Sequence, residues 1–279
     1  MCADSFRFRV GELSCLSVSD GRYTLRAEDL FCNAPQDDLD ETLREYGLAS
    51  GEVPVGENCL LVQTGEETIL VDTGMGSGPR PNAGRLLYNL TAEGIDPSDV
   101  DLVLLTHAHG DHIGGLTDAH GDLAFPRARF MISKDEWGFC IPEGTREEID
   151  PERVEFFDKK LGPLRSRIEP LSGEREVAPG VRTVPAAGHT PGHLMVEIRW
   201  RDRKLLYISD VVLHPINLRH PDWYSVYDRD AEQALALRRS LLRRTEAENL
   251  LLLAFHFPFP GLGYIGREGA AWRWEPVLA

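Results

Sequence analysis

The stretch THAHGDHIGG, Thr106 to Gly115, crowds His107, His109, Asp111 and His112 into six positions, around Gly110 and just ahead of Gly114 and Gly115. A helix that merely carried histidines would space them by three or four; these alternate and then double up. That spacing suits a turn whose side chains converge on one point. The residues just before it, Leu102 to Leu105, form a short continuous apolar run, the pattern of a strand buried on both faces. Whatever the chain folds into must hold a turn full of ligand groups at the carboxyl end of a core strand, where α/β sheets usually present their ligands. Zinc is the natural occupant of such a point, because imidazole and carboxylate are its preferred ligands after thiolate.

The same grammar recurs along the chain. Asn58 to Gly74 reads as a hairpin that turns at Gly65-Glu66-Glu67 and delivers Asp72 to a strand end. A helix is expected around GRLLYNLTAEG. In the second half RARFMIS reads as a strand, PERVEFFDKKLGPLRSRI as a helix interrupted at Gly162-Pro163, and Leu194 to Asp210 as a hairpin ending on an aspartate. Asp230 is placed to cap a helix in which Ala234, Leu237 and Leu241 share a face, and Asn249 to His256 reads as a buried strand ending on a histidine. The start, MCADSFRFRV, alternates like a strand, and the closing GREGAAWRWEPVLA reads as a final one. Both halves thus read hairpin, helix, strand, within one domain spanning residues 1–279. Only Arg26 to Gly56 departs, mixing acidic residues and turn formers. A long loop with a short helix around Asp40 to Tyr46 is expected there, serving either as a lid or binding loop or as surface decoration or a dimer contact.

Bulk properties exclude some functions. The chain has 279 residues, 42% of them hydrophobic, enough for a full core. Lys+Arg number 30 against 45 Asp+Glu, a net charge of -15, which repels phosphate backbones and anionic membranes. No apolar run approaches the roughly 18 residues of a membrane span, and the start lacks a signal-peptide layout, so a cytoplasmic location is expected. Cys2, Cys15, Cys32, Cys59 and Cys140 are odd in number, scattered and without a CxxC pair; they read as reduced thiols, neither a disulfide framework nor a zinc knot.

Ligand types at strand ends then include His189 in AAGHTPGH, Asp210 in YISD and His256 in LAFHF, beside the four of the opening turn. Seven such residues suffice for two metals sharing one carboxylate. The HxHxDH run, preceded by VDTG (Val71 to Gly74) and followed by GHTPGH, a strand-ending aspartate and a late histidine, resembles the metallo-β-lactamase superfamily, in the family's order, over about residues 58 to 256. The resemblance implies a four-layer αββα sandwich of two similar halves with the metal site at the sheet edge. It implies that His107, His109 and His189 hold one metal, that Asp111, His112 and His256 hold the other, and that Asp210 bridges them. It also implies a nucleophilic hydroxide between two divalent ions, most simply zinc, with Asp111 and Asp210 as catalytic carboxylates and Asp111 orienting the hydroxide. An HxExD pattern, which resembles the di-iron branch, is absent because position 109 is histidine, so hydrolysis is favoured over oxygen or nitric-oxide reduction.

Asp72 is the candidate outer partner of the His107 turn, since ligating imidazoles usually donate their other N–H to a carboxylate or carbonyl; a plain turn role is the competing view. His193 reads as a structural hydrogen bonder, and His120, His214 and His220 as surface or pocket-rim residues. The segment SDGRYTLRAEDLF and the run HFPFPGLGYIG resemble the lactonase and methyl-parathion-hydrolase-like branch. On that likeness Phe257, Phe259, Tyr264, Trp223 and Tyr224 are expected to wall an apolar pocket. One departure is that quorum-quenching lactonases of this fold often carry a tyrosine three residues after the bridging aspartate, where this chain has Leu213. The expected function is a dinuclear zinc hydrolase of a small, fairly apolar ester, lactone or organophosphate. The alternatives are a hydroxyacylglutathione-hydrolase-like thioesterase, a β-lactamase-like amidase, and a metal-binding sensor without turnover.

Overall fold

The computed structural model describes residues 4–77, 80, 82–141 and 151–277; Cys2 lies outside them. Two seven-stranded sheets face each other. In the first, β1 (Ser5–Val10), β2 (Leu13–Arg26), β3 (Glu52–Gln63), β4 (Thr68–Val71), β5 (Leu102–Leu104), β6 (Arg129–Ser133) and β7 (Ile168–Leu171) lie side by side in chain order. The first four strands pair antiparallel and the last four parallel. The second sheet comprises β8 (Arg175–Ala178), β9 (Val181–Pro185), β10 (Leu194–Trp200), β11 (Arg203–Tyr207), β12 (Leu251–Leu253), β13 (Leu262–Glu268) and β14 (Ala271–Pro276), again in chain order from edge to edge. Its one parallel pair is β11 with β12.

Burial follows strand position. Every residue of β5 is wholly buried, as a central parallel strand covered on both faces must be. One large cluster joins Leu60, Leu70 and Val103 of the first sheet to Val196, Leu205 and Leu253 of the second, which is the core between the sheets. On the outer face of the second sheet, α8 (Ala231–Glu248) packs Leu241 and Leu242 against Leu206 and Leu252. Its start is capped by Asp230, whose Oδ1 accepts the Gln233 amide at 2.9 Å. The helices α3 (Leu86–Ala92), α5 (Lys134–Cys140) and α6 (Pro151–Leu161) lie on the first half, joining the large cluster through Leu86, Leu90, Cys140 and Leu161. This is the αββα arrangement expected from the resemblance. Among the described residues no helix is long and apolar enough to cross a membrane.

The segment from Arg26 to Gly56 is more ordered than the long loop expected there. Strand β2 runs on to Arg26, followed by α1 (Ala27–Leu30) and α2 (Gln36–Glu45), and β3 already begins at Glu52. Its acidic composition disguised an apolar stripe: Leu39 and Leu43 lie one helical turn apart and are buried, as are Leu30, Phe31, Val53 and Val55. These residues form a separate small core with Leu213, Ile216 and Trp223 of the second half.

The run after His256 also differs from expectation. Phe257 is wholly buried, its ring edge-on to Trp274 at 4.8 Å in the core beneath the second sheet, whereas Phe259 is 42% exposed. Only the first is a packing residue. Phe257→Ala is expected to lower stability by roughly 3–5 kcal/mol, and Phe259→Ala by less than about 0.5 kcal/mol, as at an ordinary surface site. Chemical denaturation of both variants checks the pair, and the reverse ranking would show that the two rings exchange roles in solution.

Candidate metal centre

Five strand ends meet at one edge of the sandwich. β4 runs into Asp72, β5 into His107, β9 into His189, β11 into Asp210 and β12 into His256. The turn after β5 continues into α4 (Gly110–Ile113), which carries Asp111 and His112. Ligand atoms of His107, His109, His189 and Asp210 all lie within 4.8 Å of one another, as do those of Asp111, His112 and His256. Asp210 reaches into both groups. Its Oδ2 lies 3.7 Å from His107 Nε2, 3.2 Å from His189 Nε2 and 3.3 Å from His256 Nε2, and its Oδ1 lies 3.1 Å from His112 Nε2. The structure therefore brings together all seven residues singled out in the sequence.

The imidazoles are held from behind. His112 Nδ1–H donates to Asp72 Oδ2 at 2.9 Å, His189 Nδ1–H to Asp228 Oδ1 at 2.8 Å, and His256 Nδ1–H to the Gly56 carbonyl at 2.9 Å. Each bond takes up the Nδ1 proton and turns Nε2 toward the cluster. Asp72 is thus the direct partner of His112, and reaches His107 only through the Thr106 hydroxyl. Its backbone sits at φ 60°, a left-handed turn that points the carboxylate across the site, where it also accepts from Tyr207. His193 accepts the Asp210 amide on Nε2 and donates Nδ1–H to Ala186 O, a structural role.

Two glycines of the opening motif have a steric reason. A Cβ on Gly114 would lie 2.0 Å from Met75 O, and one on Gly115 would lie 2.0 Å from Thr73 O. The turn can nest against the strand end after β4 only because both side chains are missing.

A pair of divalent cations fits this donor set. His107 Nε2 and His112 Nε2 are buried with no hydrogen-bond partner among the described residues, a costly state that a metal would relieve. His189 Nε2 also approaches His109 Nδ1 to 3.0 Å, nitrogen facing nitrogen. Burial holds His109 down to about 3 and pushes His107 lower as well, keeping both neutral with lone pairs free. Burial opposes charge on His189 too, but Asp210 and Asp228 lift it to about 9. Burial also works against the charged form of Asp210, yet the surrounding histidines hold its carboxyl well below the usual range.

Over the cluster lies a cavity of about 280 Å³. Its apolar wall comes from Leu25, Leu30, Val55, Met75 and Leu213, and its polar rim includes Tyr23 and Arg80. None of the expected wall residues Trp223, Tyr224, Phe257, Phe259 and Tyr264 lines it. Trp223 is buried against Phe31 and stacks on His220, and Tyr264 faces a separate hollow beside Arg9 and Lys204. His120 is exposed as expected, while His214 is buried beside Phe31 rather than on a rim.

Three further residues carry the site without a motif to announce them. Glu136 accepts the Ala108 amide on one oxygen and the Gly192 amide on the other, tying the His107 turn to the His189 turn. Asp228 orients His189. Tyr23 donates its hydroxyl to Asp111 Oδ2 at 2.7 Å. For Tyr23 the available signal was the alternation of Gly21, Tyr23 and Leu25 along β2, which puts tyrosine on the inner face.

The family model described as "Metallo-beta-lactamase superfamily" matches residues 53–256. A probable metallo-hydrolase of Mycobacterium tuberculosis is 30% identical over 224 residues, covering 71% of this chain and 70% of that protein. An N-acyl homoserine lactonase of Bacillus thuringiensis is 30% identical over 172 residues, 54% of this chain and 62% of that one. Among solved structures, AidC, a dizinc quorum-quenching lactonase in complex with a product, superposes with a TM-score of 0.90 at 28% identity, covering 99% of this chain and 98% of its own. The hydrolase AbOPH of the β-lactamase superfamily gives 0.91 at 27% identity, covering 100% and 99%.

Asp228→Asn removes the carboxylate that aligns His189 and is expected to weaken divalent-metal binding by roughly 10–100-fold. Competition with a graded series of chelators, read as metal retained per chain, checks this. Undiminished retention would mean that the bond orients nothing the metals need.

Proposed function

We propose that this chain, which belongs to the metallo-β-lactamase superfamily, is a two-zinc hydrolase that opens a small, fairly apolar ester or lactone. The observation that carries this reading is the pair of ligand groups joined by Asp210 at the floor of a cavity with an aliphatic wall. The sites would be filled by His107, His109 and His189 on one side and Asp111, His112 and His256 on the other, with Asp210 shared. When bound, two divalent ions supply water acidified to near neutrality and a positive pole for the acyl oxygen. The all-nitrogen-and-oxygen donor set suits zinc.

The chain's own residues do the rest. Asp210, fixed through its amide by His193, keeps the two groups in register. Asp111 lines the cavity, with its Oδ2 3.4 Å from His256 Nε2, and is the carboxylate placed to take a proton from the attacking water. Leu25, Leu30, Val55 and Leu213 exclude water and receive the substrate's carbon chain. The cavity, about 280 Å³, is of a size for a small molecule. Leu30 and Val55 come from the segment 26–56, so that segment acts as a selectivity wall. The resemblance to the lactonases supports the reading, since AidC holds an acyl-homoserine product in its structure.

A panel of aliphatic lactones, alkyl esters, thioesters, a phosphotriester and a β-lactam, assayed on zinc-loaded protein, tests this. Lactones or esters are expected to be turned over best, and chelation to abolish all turnover. Preference for the thioester or the β-lactam would replace the proposed substrate class, and turnover without metal would overturn the mechanism. Asp210→Asn is expected to lower metal content at both sites together and to cut kcat by at least ~100-fold, measured by elemental analysis beside steady-state kinetics. Leu30→Ala is expected to raise KM for long-chain more than for short-chain substrates with metal content unchanged.

A further inference from the structure

The reaction needs a group at the leaving oxygen, and the cavity offers few. Its lining consists of metal-ligand candidates, aliphatic side chains, Gly110, and three non-ligand donors: Tyr23, Arg80 and Tyr227. Tyr227 is 37% exposed at the mouth. Arg80 lies with its guanidinium 4.0 Å over the face of the Tyr23 ring. Leu213 contributes no hydroxyl. Tyr23 alone among these donors puts a polar hydrogen against a ligand carboxylate, at 2.7 Å from Asp111 Oδ2.

Its position is fixed on several sides. Tyr23 stands opposite Val55 in the β2–β3 ladder, and both residues line the cavity. The ring meets His256 edge-on at 6.3 Å. A small acyl substrate seated against the aliphatic wall, with its reacting carbon over the ligand groups, has the Tyr23 hydroxyl within its reach on the Asp111 side.

We propose that Tyr23 is a catalytic residue whose hydroxyl donates a hydrogen bond to the leaving oxygen as the acyl carbon–oxygen bond breaks. The proposal rests on the hydrolase reading above. In the step, water oxygen bonds to the acyl carbon, and the electron pair of the broken bond goes to the ester or ring oxygen. The proton lost by the water, taken at Asp111 Oδ2, ends on that oxygen. Tyr23 is neutral before and after; it shifts its hydrogen bond from Asp111 to the oxygen on which charge is accumulating. Nothing else is consumed, and the products are a carboxylic acid and an alcohol, joined in one molecule when the substrate is a lactone.

The role predicts a dependence on leaving group that a packing role would not show. An alkoxide is a poor leaving group and needs the donor, whereas p-nitrophenolate is stable unaided. Tyr23→Phe keeps the ring and its contacts and removes only the hydroxyl. With zinc-loaded full-length protein, kcat for an aliphatic lactone and for an alkyl ester is expected to fall roughly 100-fold. For the p-nitrophenyl ester of the same acyl group the fall is expected to stay below about threefold, with KM, zinc content and melting temperature unchanged. An equal fall on all substrates, or a loss of zinc, would show that Tyr23 acts only by holding Asp111 and would overturn the proposal; so would no fall at all. Wild-type protein that hydrolyses none of these substrates would instead remove the hydrolase reading, and the proposal with it.

Discussion

The interaction on which the rest of the site depends is the burial of Asp210 among imidazoles. A carboxylate only 3% exposed is costly unless positive charge or donors surround it. Here four histidine nitrogens stand within 3.7 Å of its two oxygens. The same crowding would leave several nitrogens without partners, and two, His107 Nε2 and His112 Nε2, have none among the described residues. Each half of the arrangement answers the other: the carboxylate needs cations, and the unpartnered nitrogens need an acceptor of lone pairs. Two divalent ions meet both demands at once, which is why the donor set makes poor physical sense as ordinary core packing.

Holding such a cluster requires rigid attachment from opposite directions, and the fold provides it through strand ends of both sheets. His107 and the α4 ligands come from the first sheet, His189, Asp210 and His256 from the second. The sheets are joined between these ends by polar clamps as well as by the shared core. Glu136 accepts amides from the turns after β5 and β9. Asp72 accepts from Thr106 and His112 on its own side and from Tyr207 across the interface. Arg238, a buried arginine on α8, bonds the Val211 and Trp223 carbonyls and lies 3.8 Å from Asp228, steadying the loop that orients His189. Each clamp is a buried charge with several partners, so each ties local order to the geometry of the ligands.

What could be read from the sequence follows from which physical signals are local. The central strands declare themselves because a fully buried strand is a continuous apolar run, and Leu102 to Leu105 and Leu250 to Leu253 are such runs. Ligand types directly after them are visible for the same reason. The order of segment 26–56 is hidden in the sequence because its helix α2 carries five acidic residues and a stripe of only a few apolar ones, and because its core forms with Leu213, Ile216 and Trp223, far away in the chain. The pocket wall is hidden for a related reason. Aromatic residues next to His256 suggest a wall by proximity in sequence, yet the chain turns there, just past β12, and Phe257 packs into the core while His256 faces the other ligand candidates.

The cavity itself is therefore assembled from parts that share no sequence neighbourhood. Tyr23 and Leu25 come from the inner face of β2, Val55 from the paired position on β3, Leu30 from α1, and Leu213 from the turn after Asp210. The ligand groups are bound to the two-sheet core and cannot vary without exposing or orphaning a buried charge. Part of the wall, Leu30 and Val55, belongs to the segment 26–56, whose small core makes one-sided contact with the second half. Substitutions there change the volume and polarity above the metals without touching the clamps below them. That separation places the ligand groups and the cavity wall on different stretches of chain, so the motif reports the ligands while the wall above them is written in no motif.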